Sequence, residues 1–168
     1  MRGKNRRDEA ADGSGLEIKM CAIREMTAAD AGALAALDLQ CFSMPWSERS
    51  FADEAENPIA RYFVACDDGG EIIGYAGYWR VGDEADITNV AVAENMRRRG
   101  IASALMEKLV RLAGKEGLLL MTLEVRKSNA PARALYERFG FETLGERKSY
   151  YINPREDAVI MTLGLGEM

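Results

Sequence analysis

The stretch DITNVAVAENMRRRGIA, residues 86–102, decides how the chain is read. Its first part, 86–92, is rich in β-branched residues and reads as a strand. Its second part sets Arg97, Arg98 and Arg99 directly before Gly100. From Ile101 the apolar positions Ile101, Leu105, Leu109 and Leu112 follow helical spacing and stop near Gly114, so the arginines stand at a strand-to-helix junction. A helix N-terminus offers unpaired backbone N–H groups and about half a positive charge, and a glycine lets an anion approach without a Cβ in the way. Three arginines exceed what one carboxylate requires, so a phosphate or pyrophosphate is the expected ligand. Nothing in the chain matches the G-x-x-x-x-G-K-[ST] loop of ATP sites. The plain alternative is a solvated turn whose charges do nothing specific.

Moving outward, Thr27 to Asp30 has capping-box form and precedes an Ala/Leu-rich segment through Gln40, which predicts a first helix. The break Ser43-Met44-Pro45-Trp46 follows, and Ser47 is placed to cap a second, short helix. Residues 61–66 and 71–79 are β-prone runs around Asp67-Asp68-Gly69-Gly70, a hairpin signal. Residues 118–125 read as a near-continuous apolar strand. Residues 129–139 read as a short helix with Pro131 near its start and Gly140 past its end, and 147–152 and 158–163 as closing strands. This order predicts an α/β (α+β) domain around a mixed, mostly antiparallel sheet of about six to seven strands flanked by about four helices.

The length, 168 residues with 48% hydrophobic content, fits a single domain over 20–168 preceded by a flexible leader, 1–19. The early arginines of that leader could instead form a short basic arm. A net charge of −5 argues against a nonspecific nucleic-acid binder. The chain has no histidine, which removes the usual general base and the commonest metal ligand, and no metal is expected. Cys21, Cys41 and Cys66 are far apart and odd in number, so they suggest neither a zinc site nor a disulfide framework. Unpaired thiols and the lack of any apolar run near the ~20 residues of a membrane span lead us to expect a cytoplasmic, soluble protein working as a monomer or weak oligomer.

Residues 86–102 resemble the GNAT superfamily of acetyltransferases, whose signature [RQ]-x-x-G-x-[GA] is met by Arg97, Gly100 and Ala102. Downstream, LEVRKSNAPARALYERFGF, residues 123–141, resembles the second half of that superfamily's acetyl-CoA site. Met44-Pro-Trp-Ser-Glu48, Leu123-Glu-Val-Arg126, and Tyr150-Tyr151 with Glu156-Asp157-Ala158 are similar to its RimI branch, which acetylates the N-terminal alanine of a small-subunit ribosomal protein. The likeness spans about 23–163. It implies a GNAT fold and acetyl-CoA as co-substrate. Val90, Ala91 and Val92 would pair along the pantetheine arm, Arg98, Arg99, Gly100, Ile101, Ala102 and Ser103 would hold the pyrophosphate, and Asn129 would lie near the thiol end. As a residue type, Asn129 is equally explained as a plain N-cap.

Acyl transfer from a thioester to an amine needs a neutral amine, an aligned carbonyl and a route for protons, none of which requires histidine. Alternation along 118–125 gives Glu124 the face of Leu118, Leu120 and Thr122, where apolar neighbours would raise its pKa toward that of a useful base. A strand-end glutamate paired with Arg126 or Lys127 is the plain alternative. Tyr136 lies on the inward stripe Ala132, Leu135, Tyr136 and Phe139, which by itself indicates core packing. The resemblance assigns Glu124 as general base and Tyr136 as general acid. On the acceptor side, Met44, Pro45 and Trp46 would form one wall of a peptide groove and Tyr150 and Tyr151 another, unless these aromatics only pack over a helix end. Glu48 and Asp86 would attract a basic peptide. The rival functions are transfer to another protein or a small amine, and a non-catalytic acyl-CoA-binding module.

Overall fold

The computed structural model describes residues 22–166. The expected leader, Cys21 and the last two residues lie outside that range. The chain runs β1 (Ala22–Glu25), α1 (Ala31–Cys41), α2 (Glu48–Glu56), β2 (Ala60–Cys66), β3 (Ile72–Val81), β4 (Glu84–Val92), α3 (Ile101–Lys115), β5 (Leu120–Arg126), α4 (Ala130–Arg138), β6 (Glu142–Tyr151) and β7 (Glu156–Gly164). The strands form one sheet in the order β1-β2-β3-β4-β5-β7-β6, antiparallel except where β4 meets β5. The expected fold class is the one found.

Local chemistry explains most element ends. Ser47 Oγ accepts the Ser50 N–H at 3.1 Å and starts α2. Asp30, buried at the start of α1, accepts the Thr27 N–H at 2.8 Å and pairs with Arg24 at 2.8 Å, which holds its carboxyl below the usual range. A 3-10 turn, Ala28–Asp30, intervenes before α1. The β2–β3 turn closes because Asp67 Oδ1 accepts the N–H groups of Gly69 and Glu71, both at 2.9 Å. Strand β1 is absent from the expected elements: four residues with one partly buried position carry no visible period. Strand β6 begins five residues before the expected 147, because nearly all of it is exposed and lacks apolar alternation.

Two apolar clusters cover the sheet. On one face α3 and α4 bury Ile101, Leu105, Leu109, Leu135 and Tyr136 against Ile87, Leu123 and Val125. On the other, α1 and α2 bury Leu34, Leu37 and Phe51 against Tyr62, Tyr75 and Ala91. Among the described residues no helix is long and apolar enough to cross a membrane.

Strand β4 is irregular along both of its edges. Its parallel pairing with β5 covers only Glu84↔Leu120, Ala85↔Met121 and Asp86↔Thr122, and then the strands part. Its antiparallel register with β3 jumps from Tyr78↔Ile87 to Gly77↔Asn89, leaving Thr88 as an extra residue, a bulge that bends β4. The bulge is tied down on the α1/α2 face, where the Tyr62 and Thr88 hydroxyls hydrogen-bond and the Thr88 hydroxyl also reaches the Gly77 carbonyl at 3.4 Å.

Gly77 is required by the same arrangement. A Cβ there would sit 2.1 Å from Tyr62 Cδ1, and the ring is hemmed in by Trp46 and Tyr75. Gly77→Ala is expected to cost about 2–3 kcal/mol and lower Tm by roughly 5–10 °C in a thermal melt. An unchanged Tm would mean that Tyr62 moves freely.

Candidate active site

Past Asp86, β4 keeps β3 as its partner and has no β5 partner, so one main-chain edge of Ile87–Val92 is free. Arg97 then folds the chain back, donating from Nε to the Val92 carbonyl at 3.2 Å. Its other nitrogen approaches Cys41 Sγ at 3.8 Å. The signature arginine therefore shapes the turn in addition to bringing charge.

Arg98 (φ 62°) and Gly100 (φ 78°) are both left-handed, and Gly100 is the N-cap of α3 without a side chain to offer. The first helical bond joins the Ala104 N–H to the Gly100 carbonyl at 3.0 Å, so the amides of Ile101, Ala102 and Ser103 face outward. Two left-handed residues leading into open helix amides form an anion-binding concavity.

These elements enclose a cavity of about 640 Å³. Val90, Ala91, Val92, Arg97, Arg98, Gly100, Ile101, Ala102, Ser103 and Asn129 all line it. Arg99 is exposed and is not among the lining residues. Asn129 serves twice, since its Oδ1 also accepts the Ala132 N–H at 3.2 Å as the N-cap of α4. Sequence reasoning missed Cys41 and Phe42 from the end of α1, together with Pro131, Ala132, Leu135 and Arg138 from α4. The α4 set was readable from the stripe that carries Tyr136, whereas nothing in the α1 residues pointed to the cavity.

Tyr136 is buried against Phe141 and also lines the cavity. Burial, then the proximity of Tyr151, pushes its hydroxyl well above the ordinary tyrosine value, so it stays protonated. Its side chain makes no hydrogen bond among the described residues, which leaves the proton free for a ligand.

Glu124 stands on the opposite face of β5, because Met121, Leu123 and Val125 take the core side. Two expectations about it need correction. Leu118 precedes β5 and belongs to the core, so it does not share the face of Glu124. The surroundings are also polar: Glu124 pairs with Arg147 of β6 at 3.3 Å. Neither Arg126 nor Lys127, the partners expected for a paired glutamate, fills that role, since Arg126 binds Glu156 at 3.3 Å and Lys127 binds Glu146 at 3.0 Å. Beside Glu124, Asp86 has its carboxyl raised by burial and then by the Glu124 charge, with the Thr122 hydroxyl and Arg147 acting in opposition.

The residues expected to wall an acceptor groove lie outside the cavity lining. Trp46 packs on Phe51 and Tyr62 with centroids 5.5 and 6.4 Å apart, between α2 and β2. Met44 is exposed and Pro45 half-buried next to it. Tyr150 and Tyr151 meet edge to face at 5.0 Å. Arg126, expected from sequence only as a partner for Glu124, lies 4.4 Å over the Tyr151 ring and donates to the carbonyls of Pro154 (2.8 Å) and Asn153 (3.2 Å), fixing the β6–β7 turn.

Comparison with known proteins agrees with this geometry. The acetyltransferase (GNAT) family model matches residues 32–141. A putative [ribosomal protein bS18]-alanine N-acetyltransferase of Bacillus subtilis is 38% identical over 147 residues, 87% of this chain and 97% of that protein. The [ribosomal protein bS18]-alanine N-acetyltransferase of Escherichia coli is 37% identical over 146 residues, 86% and 97% of the two chains. A crystal structure of the ribosomal-protein-S18-alanine N-acetyltransferase from Escherichia coli superposes with a TM-score of 0.81 at 34% identity, covering 89% of this chain and 96% of that one. Arabidopsis thaliana NAA60, solved in complex with acetyl-CoA, shares the fold with a TM-score of 0.78 at 19% identity, covering 87% and 99%. The signature at Arg97, Gly100 and Ala102, the parting of β4 from β5 and these likenesses converge: the chain belongs to the GNAT family of acetyltransferases.

Proposed function

We propose that this acetyltransferase moves the acetyl group of acetyl-CoA onto the N-terminal α-amine, an alanine, of a small-subunit ribosomal protein. The acceptor is the one named for the Bacillus subtilis and Escherichia coli relatives, each of which the chain spans almost end to end. We read 20–168 as one catalytic domain of a cytoplasmic enzyme that contacts the ribosomal protein and needs no nucleic acid.

The observation that carries the mechanism is the gap between β4 and β5, with Tyr136 reaching the cavity from one face and Glu124 standing on the other. The free edge of β4 supports pairing with the amides of a pantetheine arm along Val90, Ala91 and Val92. The open amides of Ile101, Ala102 and Ser103, with Arg98, suit a diphosphate. With both substrates bound together, the amine nitrogen attacks the thioester carbonyl carbon. An ammonium of pKa about 7.7–8 first gives a proton to Glu124, directly or through water. The carbon–sulfur bond then breaks, the Tyr136 hydroxyl gives its proton, or a strong hydrogen bond, to the departing thiolate, and the second proton that the nitrogen sheds on becoming an amide passes through water to restore Tyr136. The acid stays ready because burial keeps Tyr136 protonated. Met44, Pro45 and Trp46 on one side and Tyr150 and Tyr151 on the other bound the acceptor groove.

Free thiol released from acetyl-CoA in the presence of an alanine-started basic peptide tests the reaction. It is expected to require the peptide and to cease when the peptide's N-terminus is blocked. Release that ignores the peptide, or that persists on internal lysines alone, rejects the acceptor assignment. Tyr136→Phe is expected to lose about 10²–10⁴-fold in kcat with little change in the KM for acetyl-CoA, and a rate within about threefold of the parent removes the acid. Glu124→Gln should lose about 10²-fold near pH 7, the deficit narrowing above pH about 8 as the amine becomes neutral unaided. Gly100→Ala forces a side chain into a left-handed position and should raise the KM for acetyl-CoA about five- to tenfold, leaving the peptide KM in place.

A further inference from the structure

The cavity is cationic in a chain of net charge −5: its lining includes Arg97, Arg98 and Arg138 and holds no aspartate or glutamate. The three arginines are engaged differently. Arg97 is committed to the turn it shapes, donating to the Val92 carbonyl at 3.2 Å and approaching Cys41 Sγ at 3.8 Å. Arg98 stands in the left-handed turn that leads into the open amides of Ile101, Ala102 and Ser103, so its charge adds to the concavity that suits a diphosphate. Arg138 comes from another wall, the last turn of α4. It is exposed, and among the described residues its guanidinium makes no hydrogen bond or ion pair. A cation in a last helical turn also complements the helix dipole, a role that makes no demand on a ligand.

The chemistry of the carrier separates the two roles. Coenzyme A has two anionic groups, the diphosphate and a phosphate monoester on the ribose 3′-oxygen, the latter with about −1.5 to −2 charge at pH 7. The start of α3 and Arg98 serve the first, and Arg138 is the remaining uncommitted cation of the cavity. A guanidinium suits a terminal phosphate because its fork matches two phosphate oxygens at once. Asn129 caps the start of α4 and Arg138 ends it, about 13 Å away along the helix axis. A ligand that touches both is therefore extended, as is a carrier with its thiol at one end and its nucleotide at the other.

We infer that Arg138 is a specificity-determining residue that binds the 3′-phosphate of coenzyme A, so that the enzyme selects the 3′-phosphorylated carrier over its dephospho form. The inference rests on the proposed use of acetyl-CoA and assigns a residue to a part of the carrier that the α3 concavity does not serve. The contact is remote from the bond that breaks and equal in the ground and transition states, so it acts on the KM for the carrier and leaves kcat in place.

Calorimetry of the full chain with coenzyme A and with 3′-dephospho-coenzyme A tests it without any acetyl transfer. The parent is expected to bind the dephospho form about five- to twentyfold more weakly, with the difference shrinking as salt is raised, because the pair is exposed. Arg138→Gln should weaken coenzyme A by about the same factor and leave the dephospho form within about twofold of the parent, so that the discrimination disappears. Arg138→Lys, which keeps the charge at the helix end, should retain about a third to a half of it. Arg98→Gln should weaken both ligands alike, since both carry the diphosphate. A parent that binds the two forms equally overturns the inference, and so does an Arg138→Gln that weakens both equally or lowers only Tm, as a cation serving the helix dipole alone would. Thiol release adds a second readout: dephospho-acetyl-CoA should raise the carrier KM of the parent about five- to twentyfold with kcat within about twofold, and a loss in kcat instead overturns the assignment. Failure of the proposed acceptor is a separate result: discrimination in calorimetry without peptide-dependent thiol release upholds Arg138 and rejects the peptide, whereas a parent that binds neither form rejects the carrier and Arg138 together.

Discussion

Strands β4 and β5 share three register pairs and then part, and the rest of the site depends on that separation. A parallel strand that keeps its neighbour has no main-chain groups to spare. One that loses it within a sheet presents a row of unsatisfied N–H and C=O groups to whatever lies in the gap. The bulge at Thr88 supplies the bend, and the contact of Thr88 with Tyr62 holds it. Gly77 supplies the space for the Tyr62 ring. A glycine on β3, a tyrosine on β2 and an extra residue on β4 thus act as one device, and removing any one changes where the edge of β4 points.

In the proposed transfer, the gap lets a chain with no histidine handle protons from two directions. Tyr136 and Glu124 belong to neighbouring elements but to opposite faces of the sheet, so the proposed acid and the proposed base would approach an acyl group from opposite sides. Their environments differ accordingly. Tyr136 sits in apolar packing that keeps its proton on. Glu124 sits among charges, with Arg147 at 3.3 Å and Asp86 nearby.

Most of the cofactor side was legible because it depends on features that leave a local trace. A helix start after glycine, an arginine cluster and a 3.6-residue stripe can each be read within a dozen positions, and Arg98, Gly100, Ser103, Asn129 and Tyr136 come together around one cavity. Arg99 is outside that lining, since arginine identity in a sequence carries no direction. The acceptor side was less legible because it is assembled across distant segments. Arg147 meets Glu124 only after β7 inserts between β5 and β6, and Arg126 reaches Tyr151 across the β6–β7 turn. Strands β1 and β6 were missed or shortened because edge strands need no apolar alternation.

The two faces of the sheet differ in a way that reflects what each must do. Under α3 and α4 the core combines aliphatic residues with Phe63, Tyr78, Tyr136 and Phe141 and seals in no carboxylate, and the cavity walls it supports have only to be rigid and shaped. Under α1 and α2 the core is laced with tyrosine hydroxyls and a sealed carboxylate. Such a network costs desolvation and is tolerated only when its members are satisfied. Asp38 is satisfied by Tyr75 and by the Trp46 N–H, and through the latter it fixes the segment that carries Met44 and Pro45. An apolar replacement would pack as well but would leave that segment free to shift along α2. Polar burial on this face therefore sets the position of the Met44–Trp46 segment, a requirement of geometry and direction that hydrophobic packing, being non-directional, cannot meet.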